Sequence, residues 1–147
     1  PLRIKRLPLF SLGEPWQFAC DEEGCLGLRL FEPRYVELAR RVLPPEGEGK
    51  FGYAEAYPPK VGDSGVLAQI EQFKWQEDPG GPVSRAAAAG GGHSVLVHAR
   101  AQRRFRILAT SEEEVVPRKP PLFVAHVQLI EEKDILRGRR AEATDSW

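Results

Sequence analysis

The hydrophobic period of this chain is helical in one place and close to two almost everywhere else, which bounds the fold more tightly than any motif. From Glu32 to about Leu43, Val36, Ala39, Val42 and Leu43 recur at helical spacing, with Arg34, Glu37, Arg40 and Arg41 on the opposite side. Pro33 suits the first turn, where a missing N–H costs nothing. Glu37 and Arg41 form an i,i+4 pair in the favourable order, and Pro44-Pro45 stops the run. One helix is therefore predicted over 32–43. Phe31, at the end of the strand leading into it, is expected to be buried.

Everything else with a pattern reads as strand. Strands are predicted at 7–12 (with Pro8 near the start, where a lost donor matters least), 28–31, 51–57, 65–75, 94–108 and 122–130. Val66, Ala68, Ile70 and Phe73 alternate imperfectly. Val95, Val97, Ala99 and Ala101 form one row that Phe105 and Ile107 extend. Phe123, Ala125, Val127 and Leu129 form another. Many short strands around one helix predict an α+β domain, an antiparallel β-barrel with the helix stripe over one mouth. Residues 13–27 read as irregular. The low-complexity stretch 76–93, with Gly80-Gly81-Pro82 and the run from Ala86 to Gly92, reads as an expanded hairpin loop. From Glu131 the chain turns polar, which gives one domain over 1–130 and a tail, or the start of a severed helix, over 131–147.

Composition narrows the function classes. The 147 residues suit one domain. Twenty-one Lys plus Arg balance 21 Asp plus Glu, so a dedicated nucleic-acid binder or polybasic membrane module is not expected. Apolar runs are too short for a transmembrane span or signal peptide, pointing to a soluble compartment, cytosol or organelle matrix (plastid or mitochondrion). Two cysteines exclude a disulfide-dense scaffold. The lack of methionine, with Pro1 first and Trp147 last, suggests a trimmed piece of a longer protein.

No chemistry-bearing constellation is legible, so no catalytic, cofactor or metal residue is assigned. Gly47-Glu48-Gly49-Lys50-Phe51-Gly52 matches G-x-G-x-x-G, but a dinucleotide site needs a strand before the motif and a helix after it, and here the order is reversed. Cys20 and Cys25 are compatible with half a zinc site, a local disulfide or two free thiols. Among the histidines, His93 falls in the loop, while His98 and His126 oppose the apolar rows. Ser64 and Ser94 read as turn formers, and Glu22-Glu23 and Glu112-Glu113-Glu114 as solvated runs. Alternation places Arg100, Arg104 and Arg106 on one face and Arg103 with Phe105 on the other, which breaks up a nucleic-acid surface. Glu32 and Arg34, at a strand–helix junction, are suited to tie the helix onto the sheet.

Three stretches, in order, resemble the N-terminal domain of Lon proteases. They are Leu7-Pro8-Leu9-Phe10; Leu30-Phe31-Glu32-Pro33-Arg34-Tyr35, opening the helix; and Arg103-Arg104-Phe105-Arg106-Ile107. The resemblance spans about residues 7–130. Phe51-Gly52 after the helix makes the chain look similar to Lon domains attached to RING-type ligases; stand-alone members and cereblon share the fold. A longer, cysteine-bearing segment, Trp16 to Gly27, replaces the F-P-G turn common in the family, and Ala101 stands where a glycine is usual. The resemblance implies a PUA-like β-barrel that recognises a protein partner or unfolded polypeptide and contains no catalytic residues or small-molecule substrate site. Leu7, Pro8, Leu9, Phe10, Phe31, Glu32, Pro33, Arg34, Tyr35, Arg104, Phe105 and Arg106 would define the fold. The charged helix face, Arg34, Glu37, Arg40 and Arg41, is the expected partner surface. A structural or docking subunit of a large complex, of an organelle for example, and a PUA-like RNA-binding module are the two other readings.

Overall fold

A computed structural model describes residues 3–77 and 93–130. The elements run β1 (Arg3–Phe10), α1 (Trp16–Ala19), β2 (Cys25–Leu30), α2 (Pro33–Val42), β3 (Lys50–Ala54), β4 (Ser64–Glu77), β5 (His93–Glu113) and β6 (Leu122–Leu129). The strands lie in the order β2-β5-β4-β3-β1-β6, and β6 returns to pair with β5, so five strands close a ring and β2 flanks it. The architecture is α+β, with one departure from the expected antiparallel pattern. β1 and β3 run parallel, Leu9 opposite Gly52 and Phe10 opposite Tyr53.

β1 starts at Arg3 rather than Leu7, because Arg3 to Pro8 pair with Leu129 to Val124. Arg3 and Lys5 occupy positions where an apolar alternation would have signalled strand. Within the stretch read as irregular, Trp16 opens the short helix α1 and is buried, and β2 begins at Cys25. Glu77 pairs with His93, so the strands on either side of segment 78–92 are neighbours. That segment, like the tail over 131–147, lies outside the described residues. No helix among the described residues is long and apolar enough to cross a membrane.

β5 is 21 residues long and bends through bulges. Its register shifts against β4 between Leu67 and Ala68, where Gln102 is the extra residue, and against β6 between Ile107 and Ala109. One extra residue moves every later side chain to the other face. Val95, Val97, Ala99 and Ala101 therefore join a cluster with α2 and β2. Phe105 and Ile107, expected in that row, instead join Leu7, Leu9, Ala54, Leu67, Phe123, Ala125, Val127 and Leu129, a cluster supplied by the five ring strands. The same shift breaks the expected grouping of Arg100 with Arg104 and Arg106. Arg100 instead pairs with Glu71 at 3.2 Å.

α2 packs against β1, β2, β3, β5 and β6. Its predicted stripe, Val36, Ala39, Val42 and Leu43, is buried, together with Tyr35 and Leu38. Two expectations fail at its start. Phe31 is 57% exposed, because the buried parity of β2 is Leu26, Leu28 and Leu30, and the residue after Leu30 must point the other way; Arg29 lies over its ring instead. Arg34, expected on the solvent face, is buried. It shares a face with Leu38 four residues on.

The Phe105 ring sits where two glycines leave room. A Cβ on Gly52 would lie 2.6 Å from Leu9 and 3.2 Å from the Phe105 ring, and one on Gly65 would collide with both the Tyr53 carbonyl and that ring. The Tyr53 carbonyl is held in the β3–β4 ladder and the ring is fully buried, so neither can move aside. Gly65→Ala should therefore destabilise by at least about 1–3 kcal/mol, read as a fall in urea midpoint. Leu30→Ala should cost about 2–5 kcal/mol, whereas Phe31→Ala should stay near 0.5 kcal/mol (roughly the surface range). Equal losses for Leu30→Ala and Phe31→Ala would contradict the register of β2.

Candidate functional site

Phe10, Glu32, Arg34 and Tyr35, from two of the motif stretches, meet at the start of α2. Glu32 is the N-cap but makes no side-chain cap bond; its carboxylate pairs with Arg34 Nε at 3.2 Å. Arg34 Nη1 donates to Tyr57 Oη at 2.8 Å and to the Pro121 carbonyl at 3.3 Å. Its guanidinium stacks over the rings of Tyr35 and Tyr57, 4.5 and 5.1 Å from their centroids. Burial disfavours the Arg34 charge, but the bond to Tyr57 and the neighbouring Tyr35 and Glu32 more than offset it, and its pKa is raised. Tyr35 Oη donates to the Ser11 carbonyl at 3.2 Å, and its ring lies 4.6 Å from that of Phe10. Burial pushes the Tyr35 phenol up and that of Tyr53 up to about 12. Arg34 thus ties the helix to the segments around Tyr57 and Pro121, and its charge is withdrawn from any partner surface.

Two other charged residues of α2, Glu37 and Arg41, join a network centred on Glu113. Arg41 Nε pairs with Glu37 at 2.9 Å, and its Nη2 with Glu113 at 2.7 Å. Arg6 reaches the other Glu113 oxygen at 3.3 Å. Glu113, read as part of a solvated run, is therefore the hub of a network joining α2, β5 and β1. The bond from Arg41 lowers its pKa, and Arg6 adds to this. Arg40 is exposed on the last turn.

The other candidates are placed as follows. Cys20 and Cys25 are free thiols, Cys25 buried, and burial pushes its pKa up. The Asp21 carboxylate accepts from the backbone N–H groups of Glu23 and Cys25, closing a turn at Gly24, whose φ is +80°. Among the described residues, no three His, Cys, Asp or Glu side chains are grouped to hold a metal. His98 and His126 are exposed strand residues. Ser94, expected in a turn, is fully buried within β5. In the glycine motif, the Gly47 and Gly49 amides donate to the Leu43 and Val42 carbonyls, and these are the donors a phosphate would need. Arg104 and Arg106 are exposed on β5.

A different surface stands out in the geometry. β2 ends the strand order, and only Leu26 meets a bridge on its far side, from Cys20; among the described residues the rest of that edge has no strand partner. Beside it, β5 and β4 carry side-chain rows that run from buried to exposed: Leu28, Val97, Phe73 and then Leu30, Val95, Trp75. Phe73 and Trp75 are 45% and 40% exposed; Leu96, between Arg29 and Lys74 on the opposite face of the sheet, is 40% exposed. A cleft of about 230 Å³ lies among Gln72, Phe73, Lys74, Leu96, Val97 and His98. Sequence alternation alone missed this surface, because Phe73 read as part of the apolar row of its strand and nothing marked Trp75.

No family model matches the chain, and no curated protein matches it. Among solved structures it resembles a Lon N-terminal domain protein from Xanthomonas campestris, with a TM-score of 0.56 and 26% identity over 86% of this chain. The chain has the Lon N-terminal fold. The N-terminal domain of Mycobacterium avium complex Lon protease also matches, with a TM-score of 0.52 and 17% identity over 88% of this chain. The chain spans 60% and 57% of the lengths of these two solved chains. In this Lon N-terminal fold the three motif stretches are brought together by Phe10–Tyr35 contact and by Phe105 packed against Gly52 beside Leu9.

The Glu113 network predicts a pH dependence. A carboxyl held below its usual range contributes stability above its unfolded pKa, and that contribution is lost as pH falls through the folded value. A double-mutant cycle on Arg41→Ala and Glu113→Gln should give a coupling of about 0.5–1 kcal/mol at neutral pH, as for partly exposed pairs, which falls as pH drops below the ordinary glutamate range, about 4. A coupling unchanged at acid pH would contradict the assignment.

Proposed function

We propose that the chain is a non-catalytic polypeptide-recognition domain that takes extended, apolar segments along the outer edge of β2 and the exposed apolar rows beside it. The observation that carries this reading is the β2 edge, which among the described residues meets only the Cys20 bridge, with exposed Phe31 and Leu96 on one face of the adjoining sheet and half-exposed Phe73 and Trp75 on the other. An open edge offers backbone donors and acceptors to an added strand, and neighbouring apolar side chains give it affinity. The likeness to the two Lon N-terminal domains supports polypeptide recognition in general. On this reading the charged face of α2 is secondary, since Arg34 is buried and Glu37 and Arg41 are committed to the Glu113 network.

The test is binding of a fluorescein-labelled, extended peptide rich in Leu and Val, followed by anisotropy. Phe73→Ser combined with Trp75→Ser should weaken it by roughly tenfold or more with the melting temperature nearly unchanged, and Arg40→Ala should leave it alone. Loss on Arg40→Ala with retention in Phe73→Ser/Trp75→Ser would move the recognition surface to α2. ATP or casein turnover by the pure chain, abolished by a substitution within it, would overturn the non-catalytic reading.

A further inference from the structure

One end of the strand ring carries positive charge in positions that continue its apolar interior. Lys5 and Arg3 follow Leu9 and Leu7 back along β1, opposite Val127 and Leu129. On β3, Lys50 is in line with Gly52 and Ala54, and on β5 Arg103 is in line with Phe105, opposite Leu67. These four cations, from three strands, line a cleft of about 270 Å³ with Leu67, Gln102 and Leu129 and with no carboxylate. Among the described residues none of the four is in an ion pair with an acid. A second cleft of about 340 Å³ shares Lys5 and Lys50 and adds Arg6, Arg41 and Glu48. Of these, Arg6 and Arg41 are held by Glu113, and Glu48 is the one lining acid.

Such an arrangement is unfavourable in the empty protein. The Lys5 pKa is lowered, first by burial and then by the charge of Lys50, with Glu48 opposing and Arg3 adding to the effect. A concave surface lined by one sign of charge concentrates its field and attracts counter-charges. The floor is apolar, since Leu67 and Leu129 are buried. A cationic rim over an aliphatic floor matches a carboxylate on a short methylene stem. Single-stranded RNA relies on aromatic rings for base stacking, and no aromatic side chain lines either cleft.

We infer that this end of the ring binds the side-chain carboxylates of an acidic polypeptide segment, with Arg3, Lys5, Lys50 and Arg103 as the contacting residues. The site lies on different elements from the β2 edge and does not require it. A Glu-rich run entering at Arg103 would continue past Lys5 and Lys50 toward the second cleft.

The experiment is fluorescence anisotropy on the 147-residue chain with labelled hexaglutamate, with hexaglutamine and oligouridylate as comparisons. Hexaglutamate should bind, more weakly as salt rises, and hexaglutamine should not. Lys50→Gln combined with Arg103→Gln should weaken hexaglutamate binding roughly tenfold while thermal unfolding stays cooperative. If that variant fails to fold, Arg3→Gln with Lys5→Gln reads the same site from β1. The Phe73→Ser/Trp75→Ser variant should bind hexaglutamate normally, which separates failure of this site from failure of the apolar surface. No binding of hexaglutamate, equal binding of hexaglutamine, or unchanged affinity in a folded charge variant would overturn the inference. Tighter binding of oligouridylate, lost in the same variants, would overturn it in favour of a nucleic-acid site.

Discussion

β5 hydrogen-bonds three other strands, β2 and β4 along its first part and β4 and β6 along its second, and the ring closes only because one 21-residue strand reaches all of them. A strand of that length cannot serve both parts in a single register. The extra residues Gln102 and Leu108 let it turn, as bulges do, by adding twist and changing which face a side chain occupies. Upstream of Gln102 its apolar residues pack under α2; downstream, Phe105 and Ile107 fill the ring. The fit of Phe105 against Gly52 and Gly65 then fixes β3 and β4 at the closure. The two clusters are therefore set by one strand and its bulge.

The helix is attached to this frame by polar chemistry as well as by its apolar stripe. Arg34 satisfies Glu32, Tyr57 and the Pro121 carbonyl from a buried position, and Glu113 gathers Arg6 and Arg41 at the other end of the helix. Residues that look like a charged recognition face are thus largely consumed in holding the fold. The surfaces we propose for partners lie at the periphery: the β2 edge with the sheet faces beside it, and the cationic end of the ring. The two surfaces suit ligands of different chemistry.

Local pattern carried the parts of the fold that depend on near neighbours. The 3.6-residue stripe of α2, the Glu37–Arg41 pair and the row Phe123, Ala125, Val127 and Leu129 follow from spacing alone. Phe31 was misplaced although Leu26, Leu28 and Leu30 already set the parity of its strand. Arg34 was misplaced although its i+4 neighbour is Leu38. The exit of Phe105 from its row was not legible, because the two-residue spacing from Ala101 to Phe105 is kept, with Arg103 interrupting the row, and only pairing with β4 reveals the extra residue. Glu113 and the cluster of Arg3, Lys5, Lys50 and Arg103 depend on closure between segments far apart in sequence, which no local period records. Charge at Arg3 and Lys5 also hid the first part of β1, so a candidate site and a missed strand have the same cause.

The proposed recognition along the β2 edge and the adjoining β4–β5 surface is tested most directly by amide hydrogen exchange with and without a reduced, carboxymethylated polypeptide. Binding by strand addition should slow exchange in Cys25–Leu30 and in the neighbouring parts of β4 and β5, around Phe73–Glu77 and Ser94–His98, with α2 unchanged. Slowed exchange confined to α2, or none in β2 under conditions where the polypeptide is bound, would contradict it.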